Sequence, residues 1–287
     1  MPKTARRRID AAMADPLLPG PLWLVGCGNM AGAMLAGWLQ SGIDPAHVTV
    51  IRPSGRPVGD GIRVLTAPPE DEVPAIVLLG FKPRTLDEVA PVLAPALDER
   101  TILISILAGV EQASLRARFP VPAAIVKAMP NLPVRLGKGV TNLYSDSDDG
   151  AARALISGLM AALGHAEWFE DEDLFQAAGI LTGAGPAFLF RFVEALGAAG
   201  EAIGLPRDQA QRLAVRMVEG SAALAAASED SPRRLAERVA SPGGTTEAGL
   251  RLLDSDEALE ALLRRTLEAS RRRSREMAAE ARSRGDG

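Results

Sequence analysis

The segment SPGGTTEAGL, residues 241–250, places three hydroxyl side chains and two adjacent glycines immediately before a stretch of helical composition. A glycine turn at a helix start leaves backbone N–H groups accessible, and the positive end of the helix dipole favours a bound anion. Ser241 and Thr245 add hydroxyl donors to the N–H groups around Gly243 and Gly244. The segment therefore predicts an anion-binding site. The simpler interpretation, in which one of these hydroxyls only caps the helix, stays open.

A second glycine-rich turn, Gly26-x-Gly28-x-x-Ala31, follows the apolar run LWLVG and opens a helical stretch. Gly26 permits a tight turn, Gly28 lets a pyrophosphate approach the backbone, and Ala31 allows the helix to pack closely on a sheet. Asn29 and Met30 begin that helix, where free N–H groups meet the anion. The context predicts a dinucleotide site, and a tight turn without a ligand is the alternative.

The end of the second predicted strand indicates which dinucleotide is bound. An acidic residue normally stands there and binds the ribose 2′-hydroxyl. Residues 50–56 contain no Asp or Glu and instead supply Arg52, Ser54 and Arg56. Two guanidinium groups and a hydroxyl suit a 2′-phosphate, so the expected cofactor is NADPH, with NADH bound more weakly. The alternative is that both arginines are solvated loop residues.

Further cofactor-binding candidates follow later strands, because ligands of such sheets bind beyond the carboxyl ends of the strands. They are Lys82 with Pro83, Ala108 with Gly109, and Asn131. For Lys82, an ordinary surface lysine is the alternative interpretation.

The scarcity of histidine and cysteine restricts the chemistry. Cys27 is the only cysteine, and His47 and His165 are the only histidines. A Cys/His zinc site and an internal disulfide are therefore excluded, and neither histidine lies near a nucleophile motif. We expect no bound metal and a reducing compartment.

Apolar runs predict the elements that position these residues. Over residues 21–170, strands alternate with helices, which predicts an α/β domain with a doubly wound, mostly parallel sheet. The predicted strands cover 22–26, 47–51, 75–80, 101–106, 123–129, 140–144 and 165–169.

The C-terminal part, residues 171–287, has a different pattern. It shows no convincing strand and is rich in good helix formers, which predicts helices over 173–204, 206–228, 231–240 and 244–283. Asp254 and Glu257 have the spacing of a capping box for the last helical segment. At the other end of the chain, residues 1–20 are predicted to be a disordered extension.

Composition argues for an ordinary soluble protein, with 47% hydrophobic residues, 24% charged residues and a net charge of −4. The charge gives no broad basic surface for nucleic acid. The longest apolar stretch, 177–190, is interrupted by Thr182, three glycines and Pro186. No signal-peptide core precedes it, so we expect a cytoplasmic protein without a membrane partner.

Four motifs, GCGNMAGAM, KAMPNLP, LTGAGPAF and SPGGTTEAGL, occur in an order that resembles the pyrroline-5-carboxylate reductase family, from about Leu22 to the C-terminal helix. The resemblance implies a Rossmann domain followed by an all-α dimerisation domain. It implies NAD(P)H-dependent reduction of the cyclic imine 1-pyrroline-5-carboxylate to L-proline. It also implies a homodimer with interlocking helices, and larger rings of dimers occur in the family.

Imine reduction agrees with the residues available. A protonated C=N group is already electrophilic, so orientation matters more than a strong base. The resemblance suggests that Thr246 reaches the ring nitrogen as the catalytic residue, while the SPGGTT segment binds the substrate carboxylate. Gly185 and Pro186 are expected to line the substrate pocket, and the proline should break or kink its helix. Close helix packing without ligand contact is the alternative.

Three positions depart from the family pattern. Leu132 stands where the family commonly has Thr, and Ala184 stands where it commonly has Ser. Lys138 replaces an acidic or neutral residue. The two missing hydroxyls leave open a reductase of another cyclic imino acid. A nucleotide-sensing protein without turnover is the other alternative, and the intact SPGGTT segment argues against it.

Overall fold

A computed structural model describes the backbone of residues 17–285 and the side chains of residues 17–276. The chain divides into two compact units, one that reaches to Gly183 and one that runs from Ala184 to Glu276. This division falls inside a long helix. The boundary predicted between residues 170 and 171 lies earlier, where the last strand gives way to that helix.

The first unit is built on a sheet with eight strands in the described part of the chain, in the order β3-β2-β1-β4-β5-β6-β7-β8. Strands β6 and β7 are antiparallel, and every other neighbouring pair is parallel. The first six strands have the order of a doubly wound Rossmann sheet, which confirms the predicted fold class. The strands are β1 (Leu22–Val25), β2 (Val48–Ile51), β3 (Arg63–Leu65), β4 (Ile76–Leu79), β5 (Ile102–Ser105), β6 (Ala124–Pro130), β7 (Gly139–Ser145) and β8 (Gly164–Phe169).

Helices cover both faces of this sheet, namely α1 (Asn29–Gln40), α2 (Leu86–Leu93), α3 (Gln112–Arg118) and α4 (Gly150–Ala161). Leu22 and Leu24 belong to the hydrophobic cluster that includes α1 and α4. Trp23 and Val25 belong to the cluster that includes α2 and α3. Because both faces are buried, the strands are continuous apolar runs rather than alternating ones, and this made them recognisable in the sequence.

Strand β3 is not predicted by the sequence, because it has three residues and its first, Arg63, is exposed. It is held in place by polar contacts. The Arg63 guanidinium donates to the Thr49 hydroxyl at 2.9 Å and to the Glu72 carboxylate at 2.6 Å. Glu72 also accepts the indole N–H of the buried Trp23 at 2.7 Å. Glu72 thereby anchors the loop between β3 and β4 to the sheet.

The predicted disordered extension covers residues 1–20, of which residues 1–16 lie outside the described residues. The last part of that range is folded. Leu18 is 3% exposed and belongs to the cluster with α1 and α4, against which Leu17 also packs. A Cβ on Gly20 would lie 3.1 Å from the Cβ of Ala75. Leu17 to Gly20 therefore belong to the first unit rather than to an extension.

The described residues after β8 are mainly helical, as predicted. The helices are α5 (Glu172–Ala202), α6 (Arg207–Ala227), α7 (Pro232–Val239), α8 (Thr245–Asp254) and α9 (Ala258–Gly285). The helix predicted over 244–283 is two helices. A short 3-10 turn separates them, with φ of 52° at Asp256 and 53° at Glu257. The predicted capping box is wrong: Asp254 makes no side-chain capping bond, and the left-handed turn keeps Glu257 out of the helix.

Within the second unit, α5 and α6 approach closely along small residues. A Cβ on Gly200 would lie 3.2 Å from that of Ala210, and a Cβ on Gly197 would lie 2.4 Å from the Gln211 amide. Among the described residues of this unit, only Gly197, Ala210 (3% exposed) and Ala214 (6%) are buried. Large apolar side chains instead lie on the surface, including Phe190, Ile203, Leu213, Leu224, Val239 and Leu252. A single chain thus exposes much apolar surface here.

Helix α5 is also the one described helix that is long and apolar enough to cross a membrane by length and composition. Helices that pack against protein can meet the same criterion, so it does not assign a membrane span.

Candidate active site

The order of the strands creates a crevice between β1 and β4, because the chain leaves β1 in one direction across the sheet and resumes on its other side. The turns after both strands are fixed to the sheet. The Gly26 N–H donates to the Ile51 carbonyl, and the Gly80 N–H donates to the Val25 carbonyl, each at 2.8 Å. The predicted glycine turn therefore lies where open α/β sheets bind ligands.

Gly26 and Ala31 have the roles that the sequence predicts, and both contact Gly80. Gly26 has φ of +82°, and a Cβ there would lie 2.9 Å from the Gly80 backbone. A Cβ on Gly80 would lie 2.7 Å from the Cβ of Ala31, which is buried. Small residues at these three positions let α1 meet the sheet closely.

Gly28 differs from Gly26, since there is free space beside it. Its backbone is extended, and a Cβ there would approach only the Gly80 carbonyl oxygen, at 3.9 Å. Packing does not require a glycine at this position, whereas close approach of a pyrophosphate does. The first turn of α1, all of it described, contains no acidic side chain. The N–H groups of Asn29 and Met30 are thus available to an anion, and the residues present fit a dinucleotide.

The loop after β2 places positive charge near the glycine turn. The Arg52 N–H donates to the Leu65 carbonyl at 2.9 Å, and Ser54 and Arg56 are exposed. In the part of the chain that the structure describes, neither arginine forms an ion pair. Burial raises the pKa of the Cys27 thiol, and the charge of Arg52 partly opposes this rise. Because the Ile51 carbonyl accepts the Gly26 N–H at 2.8 Å, Arg52 follows the residue that is bonded to the glycine turn.

The other two predicted loops lie at the same edge of the sheet. Lys82 precedes a 3-10 turn that begins at Pro83, and its carbonyl accepts the Thr85 hydroxyl at 2.9 Å. Ala108 and Gly109 follow β5 in a turn where Gly109 has φ of +76°. The first loop follows β4, which neighbours β1, and the second follows β5, the next strand beyond β4. Their contact with a cofactor stays a prediction.

Asn131 follows β6 and is 7% exposed, and both polar atoms of its side chain form hydrogen bonds within the protein. Its Oδ1 accepts the Val140 N–H at 2.9 Å, and its Nδ2 donates to the Thr182 carbonyl at 3.0 Å. Asn142 Nδ2 donates to the Thr182 hydroxyl at 2.9 Å, and that hydroxyl donates to the Ala178 carbonyl at 3.1 Å. The two asparagines hold α5 on the sheet. The predicted cofactor contact of Asn131 stays a prediction beside this structural role.

The bond from Asn131 to the Thr182 carbonyl affects the helix around Pro186, which the sequence predicts to be broken or kinked. A proline inside a helix leaves the carbonyl four residues earlier without its usual donor, and here that carbonyl belongs to Thr182. The Asn131 amide supplies the missing donor, and α5 continues from Glu172 to Ala202. The helix is therefore not broken at Pro186, and a kink there stays a prediction. A Cβ on Gly185 would meet no described atom within 4 Å, so packing within one chain does not account for that glycine.

The SPGGTT segment forms the start of α8, with Gly244 as the N-cap residue. Its turn is closed by the Gly244 N–H, which donates to the Ser241 carbonyl at 3.0 Å, and Gly243 has φ of +72°. Ser241, Thr245 and Thr246 are exposed, and no side chain caps this described terminus at Gly244. The alternative interpretation, in which the Ser241 or Thr245 hydroxyl caps this helix, is therefore wrong. The N–H groups of the first helical turn have no intrahelical acceptor and can bind an anion.

Glu247, the third residue of α8, was not predicted to take part in the site. Its Oε2 accepts the Gly243 N–H at 2.6 Å, and its Oε1 accepts the Arg251 guanidinium at 2.9 Å. The bond from Arg251, followed by that from Gly243, lowers the pKa of the Glu247 carboxyl from its ordinary value. The signal was present, since an acidic residue three positions after an N-cap commonly bonds back to the turn.

Lys127 and Glu172 form a second contact that was not predicted. Lys127 is buried on β6, pairs with Glu172 at the start of α5, and lies 5.3 Å from the centre of the Phe175 ring. The pair fixes the beginning of α5 against the sheet. A lysine within an otherwise apolar strand was the available signal.

The predicted residues fall into two groups. The predicted cofactor residues lie in the first unit, whereas Gly185, Pro186 and the SPGGTT segment lie in the second. Among the described residues, no group of three or more His, Cys, Asp or Glu side chains is placed to hold a metal ion. The chemistry available is anion binding by N–H groups and hydrogen bonding by hydroxyls.

Comparison with known proteins agrees with these features. Residues 172–277 match the family described as pyrroline-5-carboxylate reductase dimerisation, and residues 22–109 match the family described as NADP oxidoreductase, coenzyme F420-dependent. Pyrroline-5-carboxylate reductase of Pseudomonas aeruginosa is 36% identical over 261 residues, which cover 88% of this chain and 95% of that protein. The enzyme of the same name from Synechocystis is 34% identical and covers 89% of this chain and 97% of its own length.

A solved structure gives the same result. That of a pyrroline-5-carboxylate reductase from Coxiella burnetii superimposes with a TM-score of 0.83 at 30% identity and covers 90% of this chain and 98% of its own. Similarity of this extent, over both the sheet and the helical part, shows that the chain belongs to the pyrroline-5-carboxylate reductase family.

Proposed function

We propose that this protein catalyses the NADPH-dependent reduction of 1-pyrroline-5-carboxylate to L-proline, the last step of proline biosynthesis. Family membership supports the reaction. The observation that carries it is the start of α8, where exposed hydroxyls stand beside N–H groups that no hydroxyl caps. Such a terminus suits a small substrate that carries a carboxylate and a ring nitrogen.

In this reaction the residues of the chain position the substrate. N–H groups at the start of α8 hold the substrate carboxylate, and the Ser241 and Thr245 hydroxyls add donors. The Thr246 hydroxyl orients the ring nitrogen, which keeps its proton as its positive charge is lost. NADPH supplies the hydride when it is bound. Since no proton must be removed by a strong base, orientation is the main task, and it can contribute about 7–11 kcal/mol in well-aligned reactions.

Three observations in the first unit support NADPH as the cofactor. Gly28 leaves open space for a pyrophosphate, the start of α1 is free of acidic side chains, and Arg52 and Arg56 have no ion-pair partner among the described residues. The match of residues 22–109 to an NADP oxidoreductase family agrees with them. Arg52, Ser54 and Arg56 are proposed to bind the 2′-phosphate, which NADH lacks, and NADH should therefore bind more weakly.

The active form is proposed to be a cytoplasmic homodimer, with a larger ring of dimers as a further step. The second unit buries little within one chain, and its family is named for dimerisation. A second copy would cover the apolar side chains of α5 and α6, so neither a membrane nor a nucleic acid is needed as a partner. Covering this surface is favourable by roughly 25 cal/mol per Å² of apolar area.

The experiment is an assay of NADPH oxidation with a panel of cyclic imines. We expect the highest kcat/KM with 1-pyrroline-5-carboxylate. If the enzyme reduces only another cyclic imino acid, that compound is its substrate. Leu132 and Ala184 would then help to explain the difference. NADPH binding without turnover of any imine would indicate a nucleotide-sensing protein instead.

A further inference from the structure

Glu247 occupies a donor in the segment that the proposed function assigns to the substrate. Of the two glycine N–H groups, that of Gly244 bonds to the Ser241 carbonyl at 3.0 Å. That of Gly243 bonds to Glu247 at 2.6 Å. Both glycine donors are therefore already engaged. In the first turn of α8, the N–H groups of Thr245 and Thr246 still lack an intrahelical acceptor.

The contact also restricts the backbone. Gly243 has φ of +72°, a conformation that glycine adopts but does not hold by itself, because glycine has the largest conformational freedom of any residue. Glu247 lies on a regular helical turn and ties this peptide to α8. Its other oxygen is bonded to Arg251, whose positive charge offsets the carboxylate that would otherwise repel an incoming anion.

We infer that Glu247 is a positioning residue: it fixes the Gly243–Gly244 turn so that the N–H groups of Thr245 and Thr246 receive the substrate carboxylate. This inference rests on the proposed function. It assigns Glu247 no contact with the substrate, and the residue acts through the turn that it holds. A carboxylate that only stabilised the helix would affect the melting temperature and leave substrate affinity unchanged.

Three substitutions separate the hydrogen bond from the charge. Glu247→Gln keeps an oxygen that reaches the Gly243 N–H, Glu247→Asp keeps the charge on a side chain too short to reach it, and Glu247→Ala removes both. We expect the Ala and Asp variants to raise KM for 1-pyrroline-5-carboxylate about tenfold, since a bond to a charged acceptor is lost. The Gln variant should stay within about threefold of the wild type, and KM for NADPH should not change in any of the variants.

A matched control is Glu237→Ala, because Glu237 forms a similar exposed ion pair with Arg234 on α7, at 3.1 Å. It should leave KM unchanged. Wild-type KM in the Ala or Asp variant would overturn the inference, and so would a Gln variant as impaired as the Ala variant.

Hydrogen exchange of the peptide that contains Gly243 tests the contact without any substrate. Exchange should be slow in the wild type and the Gln variant, and about tenfold faster in the Ala and Asp variants. Equal exchange in the wild type and the Ala variant would overturn the inference. A wild-type protein that shows this protection but reduces no 1-pyrroline-5-carboxylate would refute the proposed function and leave the contact established.

Discussion

Asn131→Ala should lower the free energy of unfolding by more than the loss of one hydrogen bond would, because the Asn131 side chain has two partners. The substitution removes the partner of the Val140 N–H and the partner of the Thr182 carbonyl. Leaving a buried polar group unpaired costs about 1–3 kcal/mol, and Thr182 is only half-buried, so we expect a total loss of about 2–4 kcal/mol. The measurement is urea denaturation at one fixed protein concentration, because assembly makes stability depend on concentration.

The role of Pro186 makes this prediction specific. Pro186→Ala restores an N–H at the position that normally donates to the Thr182 carbonyl. In that background, Asn131→Ala should therefore cost about 1 kcal/mol less than in the wild type. Asn142→Ala is the matched control, because Asn142 bonds to the Thr182 hydroxyl and not to its carbonyl. Its effect should be the same in both backgrounds.

Two results would refute the reasoning. If the effects of Asn131→Ala and Pro186→Ala add within about 0.5 kcal/mol, the Thr182 carbonyl does not depend on the asparagine. If Asn131→Ala alone costs less than about 0.5 kcal/mol, water replaces the amide and the asparagine does not hold the helix.

Arg52→Ala and Arg56→Ala should each weaken NADPH binding about tenfold or more, since each loses a bond to a phosphate, and should leave NADH binding unchanged. An unchanged NADPH/NADH ratio of kcat/KM in both variants would mean that the arginines do not contact the cofactor. Thr246→Val should lower kcat by about 10–100-fold and leave NADPH affinity unchanged, because it removes only the hydroxyl. Thr245→Val, its control, should act mainly on KM, and wild-type kinetics in the Thr246 variant would leave the N–H groups as the working part of the segment. Light scattering at low micromolar concentration should show at least twice the chain mass of 30.1 kDa, and a fully active monomer would contradict the proposed dimer.

The sheet was predictable because its strands are buried on both faces. Runs such as LWLV and IVLL are apolar at every position, and such runs are typical of covered parallel sheets. Strand β3 gives no such signal, because Arg63 is exposed and the two residues after it are half-buried. Leu18 was missed for a related reason, since one buried leucine in a mixed segment forms no pattern. Prediction succeeded where burial is continuous along the chain.

The packing of the glycine turn was predictable because its parts are neighbours in sequence. Gly26 and Ala31 both contact Gly80, as their spacing indicates, whereas the pyrophosphate contact of Gly28 stays a prediction. The bond between Asn131 and Thr182 joins residues 51 positions apart, and no local pattern signals it. That bond explains why Pro186 does not end its helix. The chemistry of a turn is thus local, whereas the support of a helix on a sheet depends on the folded chain.

The small internal core of the second unit has a consequence for synthesis of the enzyme. Both hydrophobic clusters of the first unit draw on residues 17–168, so that unit can fold while the rest of the chain is still on the ribosome. The second unit buries one glycine and two alanines of its own among the described residues, and its apolar helices remain exposed on each newly made chain. Chains that emerge side by side on one messenger RNA meet soonest. Dense translation of a single message should therefore yield more assembled protein, and fewer aggregates, than the same synthesis spread over scattered ribosomes.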